Sequence, residues 1–264
     1  MIRTYLINKE ELKNIRYSEE MLSSGRREKI EKLKRENDKE LSACVELLLI
    51  YALKKQMEDV TLPLEIEEDD RSKLRLKTLP LYFNMSHANE YAVCTVSDAP
   101  VGVDIEYFRV RELLNPEKML HPEEVQMFAF VSNPNEKKKF FYECWVAKES
   151  YLKNLGIGLI VRPSDFYVSE NILKIGSEDF SQMKGHHSPK VTIKDESREK
   201  QKDPTLKENL EYLEKRYVHV LEPGEVRGAD WKFDAGYRLA VCSMEKDKDS
   251  IARLIHAEDI NELL

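Results

Sequence analysis

The sequence predicts an α+β fold of two related halves, and three observations support this prediction. The chain has 264 residues, of which 41% are hydrophobic, enough to bury the core of one large domain or two small ones. Strand-like runs occur beside long helical segments in both parts of the chain. Ala-Val-Cys recurs in YAVCTVS (91–97) and LAVCSME (239–245), an internal echo that indicates a duplicated unit. We therefore divide the chain into halves 1–100 and 101–264.

The first half begins with a short predicted strand over 2–8 and a basic helix over 26–37. Asp38 is a suitable N-cap for a second helix that reaches about Met57. The apolar side chains of this segment recur at helical spacing and predict a core helix: Leu41, Val45, Leu48 and Ala52. The connection over 58–80 contains two prolines and both signs of charge, which is typical of a loop-rich segment.

Three strand-like runs follow and predict an antiparallel meander near the middle of the protein: LYFNMSH, EYAVCTVS and VGVDIEY. In the third run, apolar residues alternate with Gly102, Asp104 and Glu106. Because successive side chains of a strand point to opposite faces, Asp104 and Glu106 share one face and lie roughly 7 Å apart at their roots.

The second half is predicted to contain a helix over 115–130 and a stronger one over 136–155, which Gly156 ends. YVHVLE and YRLAVCSME are strand-like. The polar segment 176–210, which has few aliphatic residues, predicts a mobile insertion, and His186 and His187 within it are interpreted as surface-loop residues.

Composition excludes several classes of function. The formal net charge of −7 argues against a nucleic-acid-binding protein, which usually has a basic excess. The start of the chain lacks an apolar signal region, and the longest apolar stretch (44–53) is too short to span a bilayer, so we expect a cytoplasmic protein without membrane contact. The four cysteines form no CxxC pair and are expected to be free, buried thiols. Neither GxGxxG nor GxxxxGK[ST] occurs, so side chains would have to bind any phosphate.

The helix FFYECWVAKESYLKNL carries the third candidate acid. Glu149 and Lys153 are four residues apart and share a face with Trp145, while Lys148 lies one step round the helix. Alone, Glu149 and Lys153 could be a surface ion pair. Together with Asp104 and Glu106, Glu149 could bind a hard cation such as Mg²⁺, with Lys148 and Lys153 beside a metal-bound phosphate.

The combination of VGVDIE, WVAKESYLK about 40 residues later, and the preceding FNMSH resembles the signature of the 4′-phosphopantetheinyl transferases. The length is similar to that of the long, single-chain, Sfp-like branch. This resemblance implies a monomeric pseudo-dimer of two similar α+β halves with the active site at their interface. It also implies transfer of the phosphopantetheine arm of coenzyme A to a serine of an apo acyl or peptidyl carrier protein of fatty-acid, polyketide or nonribosomal peptide synthesis, releasing adenosine 3′,5′-bisphosphate.

The same resemblance assigns roles to individual residues. It implies that Mg²⁺, or Mn²⁺ in its place, is bound by Asp104, Glu106 and Glu149, and that Glu149 and Lys148 are catalytic. The residues implied to contact coenzyme A are Arg26, Lys29, Ser86, His87, Lys148 and Lys153. Coenzyme A contacts would thus come largely from the first half, and the metal and catalytic residues from the second.

Two departures from the family pattern concern coenzyme A recognition. The usual arginine early in the second helix is absent from DKELSAC, and RSK (71–73) replaces a Gly-Lys-Pro. Two alternatives therefore remain open: a non-catalytic family member that binds coenzyme A or a carrier protein, and a metal-dependent phosphohydrolase, which three acids and two lysines would also suit.

Overall fold

A computed structural model describes residues 1–69, 73–108, 116–158, 161–168, 216–221, 223–228, 236–244 and 252–264. Its helices are α1 (Ser24–Lys32), α2 (Glu36–Lys54), α3 (Pro122–Phe130), α4 (Pro134–Leu155) and α5 (Ala257–Asn261). Its strands are β1 (Ile2–Asn8), β2 (Ile66–Glu68), β3 (Leu74–Leu76), β4 (Tyr82–Ala88), β5 (Tyr91–Ser97), β6 (Val101–Tyr107), β7 (Tyr217–Val220), β8 (Val226–Arg227), β9 (Tyr237–Ser243) and β10 (Ala252–Leu254). The predicted α+β class is confirmed.

The first large sheet has the strand order β4-β5-β1-β10-β8. Its first three strands are antiparallel, whereas β10 pairs in parallel with β1 and β8 pairs in parallel with β10. Helix α2 covers one face and buries an unbroken run from Leu41 to Leu53. Cys94 points into this helix-covered core. The last residues of the chain thus return to the sheet in which the chain began.

The second sheet is antiparallel, with the order β6-β9-β7, and α4 covers one of its faces. Cys242, the cysteine of the second Ala-Val-Cys, points into the core under α4. Each Ala-Val-Cys strand therefore directs its cysteine towards the long helix of its own sheet.

A third apolar core lies between the two sheets and explains the alternation in β6. Val101, Val103 and Ile105 enter this core together with Leu6 and Val93 of the first sheet. The intervening residues of β6 then face α4, as the period of two in a strand requires.

Gly102 allows β6 and α4 to come unusually close. A Cβ atom at this position would lie 2.0 Å from the carbonyl oxygen of Ser150 and 2.5 Å from the backbone nitrogen of Asn154. Any side chain here would push the acid-bearing strand away from the helix. The glycine thus fixes the distance at which residues of β6 meet residues of α4.

Several sequence predictions agree with this architecture. Strand β1 has the predicted bounds, and α4 ends at Gly156, which takes the left-handed conformation with φ 68°. All four cysteines are buried and free.

No helix in the described ranges is long and apolar enough to cross a membrane.

Other predictions were wrong in detail. The meander is interrupted, because β6 pairs with β9 in the second sheet and is an edge strand there. Asp38 lies inside α2, whose N-cap is Arg35, because the helix begins one turn earlier than expected. The connection 58–80 includes the hairpin of β2 and β3.

The segment 176–210, with His186 and His187, lies outside the described residues.

Candidate active site

The candidate site lies where the edge strands β4 and β6 of the two sheets meet. The Asn84 side chain accepts a hydrogen bond from the backbone N–H of Val103 at 3.0 Å, which joins the two edges. Two residues further along β4 and one residue further along β6, the Ser86 hydroxyl donates to Oδ1 of Asp104 at 2.8 Å. The first sheet therefore contributes polar side chains directly to the acid-bearing strand of the second.

Asp104 is the most buried acid of this site, with an exposed fraction of 4%. Its Oδ1 also accepts from the Lys153 ammonium at 2.6 Å, and this ammonium donates to the Ser86 hydroxyl at 3.0 Å. Its Oδ2 is buried and has no hydrogen-bond partner among the residues that the structure describes. An unpaired buried carboxylate oxygen is costly, so this atom is an acceptor available to a ligand.

Trp145, Glu149 and Lys153 follow one another at intervals of four along α4 and share a face. The Trp145 indole N–H donates to Oε1 of Glu106 at 3.0 Å, and Lys153 contacts Asp104. This face of α4 therefore lies along β6 with one residue near each end of the acidic pair, which agrees with the predicted shared faces of strand and helix.

Glu149 lies close enough to both strand acids to feel their charge. Burial raises its pKa above the usual value, the negative charge of Asp104 raises it further, Lys153 opposes the rise, and Glu106 adds a smaller increase. The three predicted metal-binding acids thus form one electrostatically coupled group.

A positive rim, formed by Lys29, His87 and Lys153, borders the acids. Partial desolvation lowers the pKa of the Lys29 ammonium, and the charges of Arg26 and Lys153 lower it further. Partial desolvation also lowers the pKa of His87, and Lys29 and Lys153 lower it further. Because these groups destabilise one another's positive form, the rim favours an anion.

Arg26 is also near this rim, but its guanidinium is used within the fold. It is 7% exposed, and its Nε donates to Glu46 at 2.9 Å, with a further bond to the Ser42 hydroxyl at 3.2 Å. Glu46, fully buried in α2, also accepts from the backbone and hydroxyl of Ser23. Arg26 therefore connects α1 to α2 through its Nε and one terminal nitrogen, and its predicted phosphate contact stays a prediction.

Lys148 lies on the other side of α4 from the acids and is fully buried. Its ammonium donates to Glu124 of α3 and to the carbonyls of Met119 and Pro163, at 3.1 and 2.7 Å, and it lies 5.4 Å from the centre of the Phe166 ring. An ammonium has three donors, and all three are occupied. The prediction that Lys148 flanks the acids is wrong, because one step round the helix turns it into the core.

The structure therefore brings together seven of the nine predicted residues, namely Lys29, Ser86, His87, Asp104, Glu106, Glu149 and Lys153. Sequence reasoning missed Glu124, Asn84 and Asn154. The Asn154 amide donates to the carbonyls of Pro100 and Cys242 and fixes the start of β6. Asn84 stands in the quoted FNMSH motif, but the sequence carries no signal for its long-range bond.

The arrangement can bind anions along the rim and a cation among the acids. Within the described ranges, no group of three His, Cys, Asp or Glu side chains already lies close enough to hold a metal ion. The unpaired Oδ2 of Asp104 and the raised pKa of Glu149 nevertheless indicate a site with excess negative potential. A cation that completes its shell with water or substrate oxygens fits these donors.

Comparison with known proteins finds similarity to one family. Residues 100–207 match the model of the 4'-phosphopantetheinyl transferase superfamily. The chain is 33% identical over 91 residues to the 4'-phosphopantetheinyl transferase gsp of Aneurinibacillus migulanus, covering 34% of this chain and 38% of that protein. It is 24% identical over 148 residues to the 4'-phosphopantetheinyl transferase Sfp of Bacillus subtilis (strain 168), covering 56% of this chain and 66% of Sfp.

A third relative is the 4'-phosphopantetheinyl transferase HetI of a Nostoc species, 36% identical over 83 residues, or 30% of this chain and 34% of HetI. The chain thus spans well under half the length of gsp and HetI. The resemblance predicted from the motifs is confirmed.

Proposed function

We propose, from this similarity and from the site, that the protein is a 4′-phosphopantetheinyl transferase. It transfers the 4′-phosphopantetheine group from coenzyme A to a serine of an apo acyl or peptidyl carrier protein and releases adenosine 3′,5′-bisphosphate. The observation that carries the proposal is the meeting of Asp104, Glu149 and Lys153 at the junction of β4 and β6. These residues come from two of the three sequence blocks that resemble the family.

The positive rim would bind the substrate phosphates. Lys153 is 30% exposed and already touches Ser86 and Asp104, so it can turn its ammonium towards a diphosphate at little cost. Lys29 and His87 are exposed at the mouth of the site and suit a further phosphate. With Arg26 committed to Glu46, we assign the 3′-phosphate contact to Lys29.

Glu149 would accept the proton of the carrier serine. Its raised pKa makes it a stronger base than an ordinary carboxylate, and its position on a rigid helix fixes its direction. The serine oxygen forms a bond to the phosphorus that bears the pantetheine. The bond from that phosphorus to the bridging oxygen breaks, and the electron pair leaves with the adenosine 3′,5′-bisphosphate. Positioning and charge stabilisation supply most of the catalysis in such transfers.

The acids also fit the metal that the family resemblance implies. Asp104, Glu106 and Glu149 would hold Mg²⁺, or Mn²⁺ in its place, with the unpaired Oδ2 of Asp104 as one donor. When bound, the ion would neutralise charge on the phosphoryl oxygens. Burial is the main cause of the raised pKa of Glu149, and the negative charges of Asp104 and Glu106 add to it; a cation would offset the added part.

We extend the proposal to the architecture and the partners. The two helix-covered sheets, with equivalent Ala-Val-Cys strands, support a monomeric pseudo-dimer whose halves meet at the site. We infer action in the cytoplasm on carriers of fatty-acid, polyketide or nonribosomal peptide synthesis. Lys148 has no catalytic role in this proposal, because its three donors are used inside the fold.

One incubation tests the proposal. The protein is mixed with coenzyme A, Mg²⁺ and a panel of apo carrier proteins, and the carriers are weighed by mass spectrometry. We expect the mass of at least one carrier to increase by one phosphopantetheine, and we expect Glu149→Gln to abolish the increase. Tight coenzyme A binding without transfer would instead select the non-catalytic alternative, and phosphate release without any carrier would select the phosphohydrolase.

A further inference from the structure

A second cleft, of about 1170 Å³, opens at the opposite end of the first sheet from the candidate active site. The β4–β5–β1 register pairs Tyr82 with Ser97 and Ser97 with Ile2 at the cleft end. At the other end, His87 of the candidate site pairs with Ala92. About five residues of strand, or roughly 17 Å, separate the two ends. The second cleft is therefore a separate place in the molecule.

Three arginines from adjacent strands form the floor of this basic cleft. Arg253 of β10 is the direct cross-strand partner of Arg227 of β8 and also of Tyr5 of β1. Arg3 lies two residues before Tyr5 and so shares its face. Like charges placed directly opposite one another in a sheet are destabilising. The pairing of Arg227 with Arg253 therefore has a cost that an anion would remove.

The walls add a fourth cation and two acids. Lys55, at the end of α2, lies 5.5 Å above the ring of Tyr51. Asp98 pairs with the N-terminal amine at 2.7 Å, and Asp259 accepts from the backbone N–H of His256 at 2.9 Å. Both acids thus have partners of their own.

The three arginines and Lys55, by contrast, lack carboxylate partners among the described residues. Across the parts of the chain that the structure describes, no ion pair involves Arg3, Lys55, Arg227 or Arg253. Arg227, Arg253 and Lys55 are also exposed, so each can turn towards a molecule in the cleft. Within the described residues, the cleft is therefore concave and basic, with exposed donors on Lys55, Arg227 and Arg253.

We propose that this basic cleft binds a small anion with two or more adjacent phosphoryl groups. The guanidinium group presents a planar fork of donors that matches phosphate oxygens in pairs. Two such forks side by side on β8 and β10, with Lys55 opposite, suit neighbouring phosphates better than a single anion. The volume also accommodates a ligand as large as a nucleotide. The site is independent of the proposed transfer reaction.

Calorimetric titration with tripolyphosphate tests the proposal. We expect two sites in the wild-type protein, one at the positive rim of the candidate active site and one in the basic cleft. The double variant Arg227→Gln/Arg253→Gln should lose the cleft site, or bind tripolyphosphate there at least ~10-fold more weakly, since it removes two charge-assisted contacts. Lys153→Gln should weaken only the other site.

A matched control removes the same charge elsewhere. Lys13→Gln/Lys118→Gln changes two exposed lysines outside both clefts and should leave both sites intact. Thermal unfolding without phosphate should show no loss of stability in the arginine variant, because a like-charge pair has been removed. Titrations with orthophosphate and with adenosine 5′-diphosphate then separate single from adjacent phosphates and inorganic from nucleotide sources.

Unchanged tripolyphosphate binding in the arginine variant, or an equal loss in the lysine control, would overturn the proposal. Equal affinity of the cleft for orthophosphate would overturn the requirement for adjacent phosphates. A failure of the proposed transferase function would remove carrier modification but would leave binding in the cleft, so the two failures are distinguishable.

Discussion

Lys148 and Lys153 lie five residues apart on α4, and their ammonium groups have opposite surroundings. Lys148 is fully buried among one carboxylate and two carbonyls, whereas Lys153 is 30% exposed and lies between Ser86 and Asp104. Five residues make about 1.4 turns, so the two side chains point in directions roughly 140° apart around the helix. This angle is enough to place one in the core and the other in the site. The same motif, WVAKESYLK, therefore supplies one lysine to the fold and one to the site.

The comparison extends to a third lysine at the end of α4. Lys73 donates to the carbonyl of Asn154 at 2.6 Å, and burial lowers its pKa to about 8. It caps a helix end that would otherwise leave carbonyl groups unpaired. Lys73 and Lys148 thus fix the position of α4. This position places Lys153 and Glu149 beside Asp104.

Replacement of Asp104 should have the largest effect on the proposed activity. Asp104→Asn keeps an acceptor for Ser86 and Lys153 but removes the charge that a cation or transition state requires. We expect kcat/KM for carrier modification to fall by roughly 10²–10³-fold, the range typical of one removed electrostatic group. Thermal stability should stay the same or increase, because repulsion with Glu149 decreases.

The exposed acid Asp59 provides a control, and Asp59→Asn should retain wild-type activity. Near-normal turnover of Asp104→Asn would remove Asp104 from the proposed site and would leave the cluster as a structural feature of the sheet junction.

Breaking the buried pair should affect stability instead of chemistry. Lys148→Met leaves Glu124 buried without its countercharge, which typically costs about 3–5 kcal/mol of unfolding free energy. Chemical denaturation measures this loss. We expect the double variant Lys148→Met/Glu124→Gln to recover part of it, because no buried charge then remains.

Activity distinguishes the two lysine roles. At a temperature where Lys148→Met is folded, its kcat should stay within a few-fold of wild type. A stable Lys148→Met protein without activity would restore the catalytic role that the sequence predicted for this residue.

Lys153→Gln should show the reverse behaviour. The partly exposed pair with Asp104 contributes about 0–1 kcal/mol to stability, so the unfolding midpoint should change little. We expect kcat/KM to fall by roughly 10–100-fold, since a charge-assisted bond to the phosphates contributes about 1.5–3 kcal/mol. Lys153→Arg should recover part of the affinity for coenzyme A, and an equal loss in stability and activity would contradict the comparison.

The smallest expected effect is a pH dependence of stability from Lys73. Its pKa is 10.5 in the unfolded chain and about 8 in the fold, because burial outweighs the attraction of Asp69. Between pH 8 and 10.5 the unfolded state binds more protons, so this group makes stability increase with pH. Lys73→Met should lack this contribution.

Urea unfolding of both proteins at several pH values measures the difference. The wild-type protein should gain roughly 1–3 kcal/mol relative to Lys73→Met over this range. If stability depends on pH in the same way in both proteins, the pKa of Lys73 is not lowered in the fold.

Sequence reasoning could predict much of the local structure and most of the candidate site. Helix α4 was predicted because Pro134 and Gly156 mark its ends and its apolar residues recur at helical spacing. The shared face of Asp104 and Glu106, and that of Glu149 and Lys153, follow from the period of a strand and of a helix. The pairing of β6 with β9, more than 100 residues away, could not be predicted, since alternation specifies a strand but not its neighbour.

The sequence by itself determined which residues share a face: Asp104 with Glu106, and Glu149 with Lys153 and Trp145. These relations are local, because backbone geometry repeats every two residues in a strand and every 3.6 in a helix. Only the tertiary structure decided which face met which. Gly102 allows β6 to lie against α4, Glu124 forms an ion pair with Lys148 in the core, and Glu46 forms an ion pair with Arg26. A charged side chain is buried only where a partner compensates its charge. Because that partner can lie anywhere in the chain, the local sequence does not identify it.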